Sequence, residues 1–197
     1  MTLFKINATM PMKINITKNH LTKERIVELL TPKYLTREVA EKAVSVALKV
    51  ALESQITPLI KRLQCHIVVL VPAMVDDREK DFPEWPNYPT TAFPLYQKSV
   101  GKELWNHSFD NIARCKALQL WTDRNDDRTT SVPHLLFSGD TPFWGGVKRR
   151  GIVVTCSGVQ PWFDKMISGL SADIMVALAH DAYENDGERK SGISFLS

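Results

Sequence analysis

The sequence predicts a mixed α/β (α+β) fold in a single domain. Apolar residues recur at helical spacing over 39–51 and again over 163–178, a pattern typical of helices that pack on a core. Two short runs rich in β-branched residues, 65–71 and 152–156, are almost wholly apolar and indicate strands buried on both faces. A chain of 197 residues has room for one generous domain built from these elements.

Composition and charge exclude several classes of protein. A hydrophobic fraction of 44% with 24% charged residues argues against a disordered or fibrous chain. Lysine and arginine number 25 against 22 acidic residues, and because the two signs are interleaved, no nucleic-acid partner is expected. The N-terminal residues lack the apolar segment of a secretory signal, and the run 67–71 is far shorter than the roughly 20 residues that cross a bilayer. We therefore expect a soluble, cytoplasmic protein with no membrane partner.

The first predicted elements are two helices and a strand. Thr22 is expected to cap a short helix that Thr31-Pro32 ends. Thr36 is expected to precede a second helix of about five turns, because apolar residues follow it at intervals of three and four. The strand over 65–71 is expected to end at Pro72.

Residues 72–108 differ in character from the rest of the chain. A charged run over 76–81 is followed by several prolines among aromatic residues, and because proline removes a backbone donor, no regular element is predicted here. We interpret the segment as an insertion, a long loop held to the body by its aromatic rings. The alternative is a docking segment for a partner protein, since prolines at a period of three are typical of polyproline II. Its contact residues would be Trp85, Tyr88 and Phe93.

The chain after the insertion alternates helices and strands. A helix is predicted over 110–121, with Ile112, Cys115 and either Leu118 or Gln119 facing inward. A Gly-Gly pair and a basic hairpin-like turn then precede the strand over 152–156. The polar tail after Glu184 is expected to fray. The inward positions of the final helix are predicted to be Phe163, Met166, Ile167, Leu170, Ile174 and Leu178.

Motifs for a nucleophile or a metal are weak in this chain. Ser157 lies at a strand-to-helix junction, but the pattern around it lacks the first glycine of a nucleophile elbow, so a serine hydrolase is not favoured. The three cysteines are odd in number and widely spaced, so no disulfide framework follows. The five histidines form no HExxH pair and the cysteines no CxxC pair, so no zinc site is predicted. A ligand pair from distant positions, such as His107 with His134, stays open.

The junction Ser157-Gly158 is the best candidate for binding an anion. A glycine before a helix leaves backbone amides exposed at the positive end of the helix dipole. Arg114 and Lys116, on the preceding predicted helix, could supply positive charge to the same pocket, and the alternative is that both are surface residues. The basic residues 148–150 are interpreted as solvated charges of a β-turn.

Four stretches of the chain have an order and spacing that are shared with one known family. They are a long helix from Leu35-Thr36, the strand His66-Ile67-Val68-Val69-Leu70, the pattern Ile112-Ala113-Arg114-x-Lys116-Ala117, and an ending from Gly145-Gly146-Val147 through Ser157-Gly158 to Asp164. Together they resemble the GlcG/HbpS-like family of haem-binding or haem-degrading proteins. The chain departs from that family in its proline-rich insertion and in Val159, which stands where a second glycine commonly follows.

The resemblance implies a profilin-like fold, in which an antiparallel sheet is flanked by helices, and assembly into symmetric homo-oligomers. It divides the chain into an N-terminal extension (1–34), a single domain (35–184) that contains the insertion 72–108, and a polar tail (185–197). Functions within the family are scattered over haem, cobalamin and glycolate metabolism, so the fold does not fix the function.

We therefore expect an oligomeric small-molecule-binding protein whose ligand is haem or another anionic or planar molecule. Two alternatives stay open: an interaction scaffold that uses residues 76–96, and an enzyme that acts on a small hydroxy acid or carbonyl compound. The expected roles are Arg114 and Lys116 for carboxylates or phosphates, Gly146, Ser157 and Gly158 for backbone contacts, Asp164 for orienting the helix start, and His107 or His134 as an axial ligand of haem.

Overall fold

A computed structural model describes residues 29–75, 90–125, 132–194 and 196. The helix predicted after Thr22 lies outside these residues except for its last positions, and Trp85 and Tyr88 of the insertion lie outside them as well. In the described residues no helix is long and apolar enough to cross a bilayer.

A five-stranded antiparallel sheet forms the centre of the protein. The strands are β1 (Leu29–Leu30), β2 (Cys65–Val75), β3 (Thr91–Val100), β4 (Gly146–Arg149) and β5 (Ile152–Ser157). The central strand β2 pairs with β1, β3 and β5, and β4 pairs with β5. The predicted α+β class with an antiparallel sheet flanked by helices is confirmed.

Helices cover both faces of the sheet, which explains why β2 is apolar at every position except His66. The helices are α1 (Arg37–Leu52), α2 (Phe109–Trp121), α3 (Pro161–Asn185) and the short α4 (Gly187–Lys190). Side chains alternate along a strand, so Ile67 and Val69 pack into the core beneath α1 and α3, while Val68 and Leu70 pack against α2. A strand that is covered on both faces is expected to consist mainly of apolar residues.

Alanines set the contact between α1 and α3. The Thr36 hydroxyl caps α1 by accepting a hydrogen bond from the Val39 N–H at 3.3 Å, as the sequence predicts. Ala40, Ala43 and Ala47 are fully buried on the inner face of the helix. Their small side chains let the two helix backbones approach closely, so this face has no room for larger residues.

The predictions around the prolines are wrong in three places. β2 does not end at Pro72 but continues to Val75. Leu29–Leu30, predicted as the end of a helix, forms a strand that pairs with the last residues of β2. The segment predicted to hold no regular element contains β3. Pro94 fits into β3 because the register shifts beside it, between Val69 and Leu70, where a missing N–H donor costs little. Phe93 is partly buried against the core.

The inward face of α2 differs from the prediction in part: of the two alternatives Leu118 and Gln119, it is Gln119 that is buried. Leu118 is 54% exposed and Cys115 is only partly buried, whereas Ala113 and Ala117 pack on the sheet. Lys116 and Gln119 are buried although both are polar, because their side chains donate hydrogen bonds to the Cys156 and Thr141 carbonyl oxygens. Apolar periodicity alone cannot place such residues.

The turn between β4 and β5 agrees with the prediction, whereas the C-terminal residues do not. The predicted hairpin-like turn is confirmed between β4 and β5, where Arg150 and Gly151 have φ values of 49° and 88°. The C-terminal residues contain α4, and the Tyr34 hydroxyl donates to Asp186 Oδ2 at 3.0 Å beside an ion pair of Lys33 with Glu188. The frayed tail predicted after Glu184 is thus ordered through this contact.

We predict that Ala43→Leu destabilises the protein by about 1–3 kcal/mol, because the added carbons overpack the contact between α1 and α3. Chemical denaturation measures the free energy of unfolding. Ala177→Leu, the same exchange at an exposed position of α3, is the control and should leave that energy nearly unchanged. Equal effects at both positions would contradict the close helix contact.

Candidate functional site

A cavity of about 270 Å³ lies where the end of β5, the first half of α2 and the start of α3 meet. Phe109 and Trp144 contribute aromatic walls, and Arg62, Ser157 and Asp164 are among its polar residues. A mostly apolar pocket with a few convergent polar groups is typical of a small-molecule site.

The most unusual group in its wall is a buried lysine. Lys116 is 1% exposed, and its ammonium donates to the Cys156 carbonyl oxygen at 2.9 Å and to Asp164 Oδ2 at 3.2 Å. Asp164 is buried too, and its other oxygen accepts from the Val159 N–H at 3.1 Å. A buried charge is costly unless it is paired and hydrogen-bonded, and each member of this pair satisfies that condition for the other.

Burial shifts the titration of the acidic groups around this pair. Burial raises the pKa of the Asp164 carboxyl above its ordinary value, since lost hydration outweighs the stabilisation by Lys116 and the Val159 N–H. Burial also raises the pKa of the Cys156 thiol well above its ordinary value, and the neighbouring Cys65 thiol adds to that shift. Cys156 is therefore an inert structural thiol, while Asp164 holds a proton more readily than an exposed aspartate does.

Ser157, the last residue of β5, presents a buried hydroxyl to the same cavity. Its side chain lies on the α2 face of the sheet, as does that of Thr155, whose hydroxyl donates to the Ala113 carbonyl at 2.8 Å. Ser157 is only 4% exposed, yet its hydroxyl bonds to no residue in the part of the chain that the structure describes. Because buried polar groups almost always have a partner, this hydroxyl marks a place for a bound molecule or water.

The N-terminus of α3 opens on the cavity. Its cap residue, Gln160, forms no side-chain capping bond, because its amide instead contacts the Lys61 N–H and the Leu59 carbonyl. Pro161 and Asp164 of the first turn line the cavity. Pro161 has no N–H and the Asp164 N–H donates to the Gln160 carbonyl at 2.8 Å, so α3 presents to the cavity only the positive end of the dipole of a 25-residue helix, which favours an anion.

Arg62 stands beside this helix end and was missed by sequence reasoning. Its guanidinium donates to the Val159 carbonyl at 3.0 Å and lies over the Phe109 ring, 5.8 Å from the centroid. In the described ranges no carboxylate pairs with it. The sequence carries no signal for this role, because Arg62 precedes β2 in a connecting segment and reaches the site only through the packing of that segment on residues 158–160.

Two glycines serve packing at the edges of the site. Gly158 has φ of 131°, and a Cβ added there would lie 2.6 Å from the Gln64 carbonyl oxygen. A Cβ on Gly146 would lie 2.6 Å from both Leu120 and Thr155 side-chain carbons. Gly146 does not line the cavity. We therefore interpret Gly146 as a position of close contact between β4 and α2, and not as a ligand contact.

The structure brings together some of the residues that the sequence singled out and separates others. Arg114 points away from the cavity: it bonds to Asn111 at 3.1 Å, pairs with Asp110 at 3.5 Å and lines a different groove. His134 lies on an exposed turn outside the lining. The predicted residues that line the cavity are His107, Lys116, Ser157, Gly158 and Asp164.

No cluster of three or more histidine, cysteine, aspartate or glutamate residues suitable for a metal occurs among the residues described. Cys65, Cys115 and Cys156 are free thiols. His107, at the exposed side of the cavity and 5.9 Å from the Phe109 ring centroid, is the one predicted axial histidine that lines it.

A scan against protein-family models, a search of the curated proteins and a search of the solved structures each return no match to this chain. The GlcG/HbpS-like resemblance therefore stays a prediction.

We predict that Gly158→Ala destabilises the protein by about 1–3 kcal/mol, because alanine is strained at this positive φ and its Cβ meets backbone atoms. Gly187→Ala is the matched control, since a Cβ there meets open space. Urea denaturation of both variants gives the comparison. A Gly158 variant as stable as the Gly187 variant would contradict the close approach of Gly158 to the Gln64 backbone.

Proposed function

We propose that this protein binds a small, planar carboxylate in the cavity between α2 and the start of α3. The observation that carries the proposal is the buried Ser157 hydroxyl without a partner in the described chain, beside the uncapped end of α3. A carboxylate would accept hydrogen bonds from this hydroxyl and from the Arg62 guanidinium, and the positive end of the α3 dipole would favour its charge.

The charges of the lining support an anion. Lys116 and Asp164 neutralise each other through their 3.2 Å contact. Arg62 then remains as a cation whose charge no described carboxylate cancels. An anionic ligand would complete this charge balance, whereas a cation would meet a positive guanidinium and a helix N-terminus.

The size and walls of the cavity support a small, flat molecule. A volume of about 270 Å³ lies just below the roughly 300–1,000 Å³ that is typical of pockets for drug-sized ligands. The Phe109 and Trp144 rings offer faces on which a planar group packs well. Haem, the ligand that the family resemblance implies, is a much larger molecule than this volume suits. Cytoplasmic location and self-association stay predictions.

Calorimetric titration with benzoate, a planar carboxylate, tests the proposal. We expect saturable binding that Arg62→Gln weakens about tenfold or more and Ser157→Ala about fivefold, since each loses one hydrogen bond to the anion. Arg114→Gln removes the same charge from a different groove and should bind benzoate as the unaltered protein does. Absence of saturable binding, or equal losses in the two arginine variants, would overturn the proposal.

Hemin is the second probe. A saturable Soret shift that weakens in His107→Ala and not in His134→Ala would favour haem over the smaller ligand, because His107 alone of the two lines the cavity. The proposal expects no such shift.

A further inference from the structure

The proposed ligand site leaves one polar group in the wall without a role. Arg62, Ser157 and the end of α3 account for the binding of a carboxylate, and Lys116 is not needed for it. Nevertheless a lysine is kept fully buried there, and its pairing with Asp164 and its bond to the Cys156 carbonyl offset the cost of removing its charge from water. A buried lysine next to a carboxylate in a cavity wall is an arrangement that suits amine chemistry.

The two contacts of the amine hold it at a fixed point. Its nitrogen donates to the Cys156 carbonyl at 2.9 Å and to Asp164 at 3.2 Å, which uses two of the three N–H donors of an ammonium group. One position on the nitrogen remains, and Lys116 lines the cavity. The same pair of contacts places a proton acceptor, Asp164 Oδ2, directly on the nitrogen.

We propose that Lys116 forms an imine with the carbonyl carbon of a small 2-oxo acid whose carboxylate occupies the anion site. This inference rests on the proposed function, since the carboxylate contacts of Arg62, Ser157 and the α3 N-terminus would orient the oxo acid. A 2-oxo acid carries its carbonyl directly beside its carboxylate, and it is planar and small. It therefore fits the same cavity as the simple carboxylate.

The reaction is a condensation without any change in oxidation state. Asp164 takes one proton from the Lys116 ammonium, and the nitrogen lone pair attacks the carbonyl carbon while the carbonyl π pair moves to oxygen. That oxygen receives the proton from Asp164, which gives a carbinolamine. The nitrogen then returns a proton to Asp164, the C–O bond breaks as this proton reaches the leaving hydroxyl, and water departs. One ammonium group and one carbonyl group thus yield one protonated imine and one water.

The burial of Asp164 suits it to this transfer. A carboxyl group whose pKa burial raises is a better proton acceptor than an exposed aspartate, and it can give the proton back to the leaving oxygen. The bond from the Val159 N–H holds the carboxyl in place during both transfers. Asp164 would therefore act as the acid and base of the condensation.

Reductive trapping tests the inference on the full chain. The protein is incubated with pyruvate and sodium cyanoborohydride, which reduces an imine to a stable secondary amine, and the adduct is located by peptide mass spectrometry. We expect modification at Lys116 at a rate at least about tenfold above that of any exposed lysine, such as Lys42, because the bound carbonyl lies beside the amine. Lactate, which has no carbonyl group, should give no adduct.

Variants of Asp164 and Lys116 test whether these side chains take part in imine formation. Asp164→Asn should slow trapping about 100-fold or more at saturating pyruvate, because the amide cannot accept the proton. Lys116→Arg should abolish the adduct at this position, and Lys42→Arg is the matched control that should retain it. The location of the adduct in the unaltered protein, found by peptide mass spectrometry, tests the inference even if a variant fails to fold.

The outcomes distinguish this inference from the proposed function. Benzoate binding without a Lys116 adduct would overturn imine formation and leave the carboxylate site intact. Adducts spread equally over exposed lysines would overturn it as well. Absence of binding by benzoate together with absence of the adduct would overturn both.

Discussion

The pairing of Lys116 with Asp164 connects the helices on the two faces of the sheet at its end. Lys116 comes from α2 on one face and Asp164 from the first turn of α3 on the other, and Lys116 also donates to the Cys156 carbonyl of β5. The rest of the site follows from this contact. Asp164 also holds the Val159 N–H, which fixes the strand-to-helix junction beside the cavity.

The same contact decides what the cavity can bind. Because the lysine charge is cancelled internally, the net positive character of the site comes from Arg62 and the α3 N-terminus, on the side where Ser157 lacks a partner among the described residues. An anion would be held there, and the amine lies in the same cavity wall. Arg62 would thus bind the carboxylate of a ligand, while the Lys116 amine would be left to react with its carbonyl group. The two proposals therefore concern different groups of one ligand.

Much of the fold could be predicted from the sequence, because the buried positions of α1, β2 and β5 carry apolar residues at regular spacing. The errors have physical causes. Pro94 is tolerated in β3 by a register shift that depends on the partner strand, and Lys116 is buried by a partner 48 positions away in the chain. The site was predicted only in part for the same reason. Ser157 and Asp164 belong to a recognisable junction, whereas Arg62 reaches the cavity through packing that no local pattern records.

A double-mutant cycle on Lys116 and Asp164 tests this account most directly. Lys116→Met, Asp164→Leu and the double variant are compared with the unaltered protein by chemical denaturation. Each single change leaves a buried charge unpaired and should cost about 3–5 kcal/mol of unfolding free energy. The double variant removes both charges, so its loss should be well below the sum of the two, with a coupling of about 2 kcal/mol or more. Losses that simply add would contradict the central role of this pair.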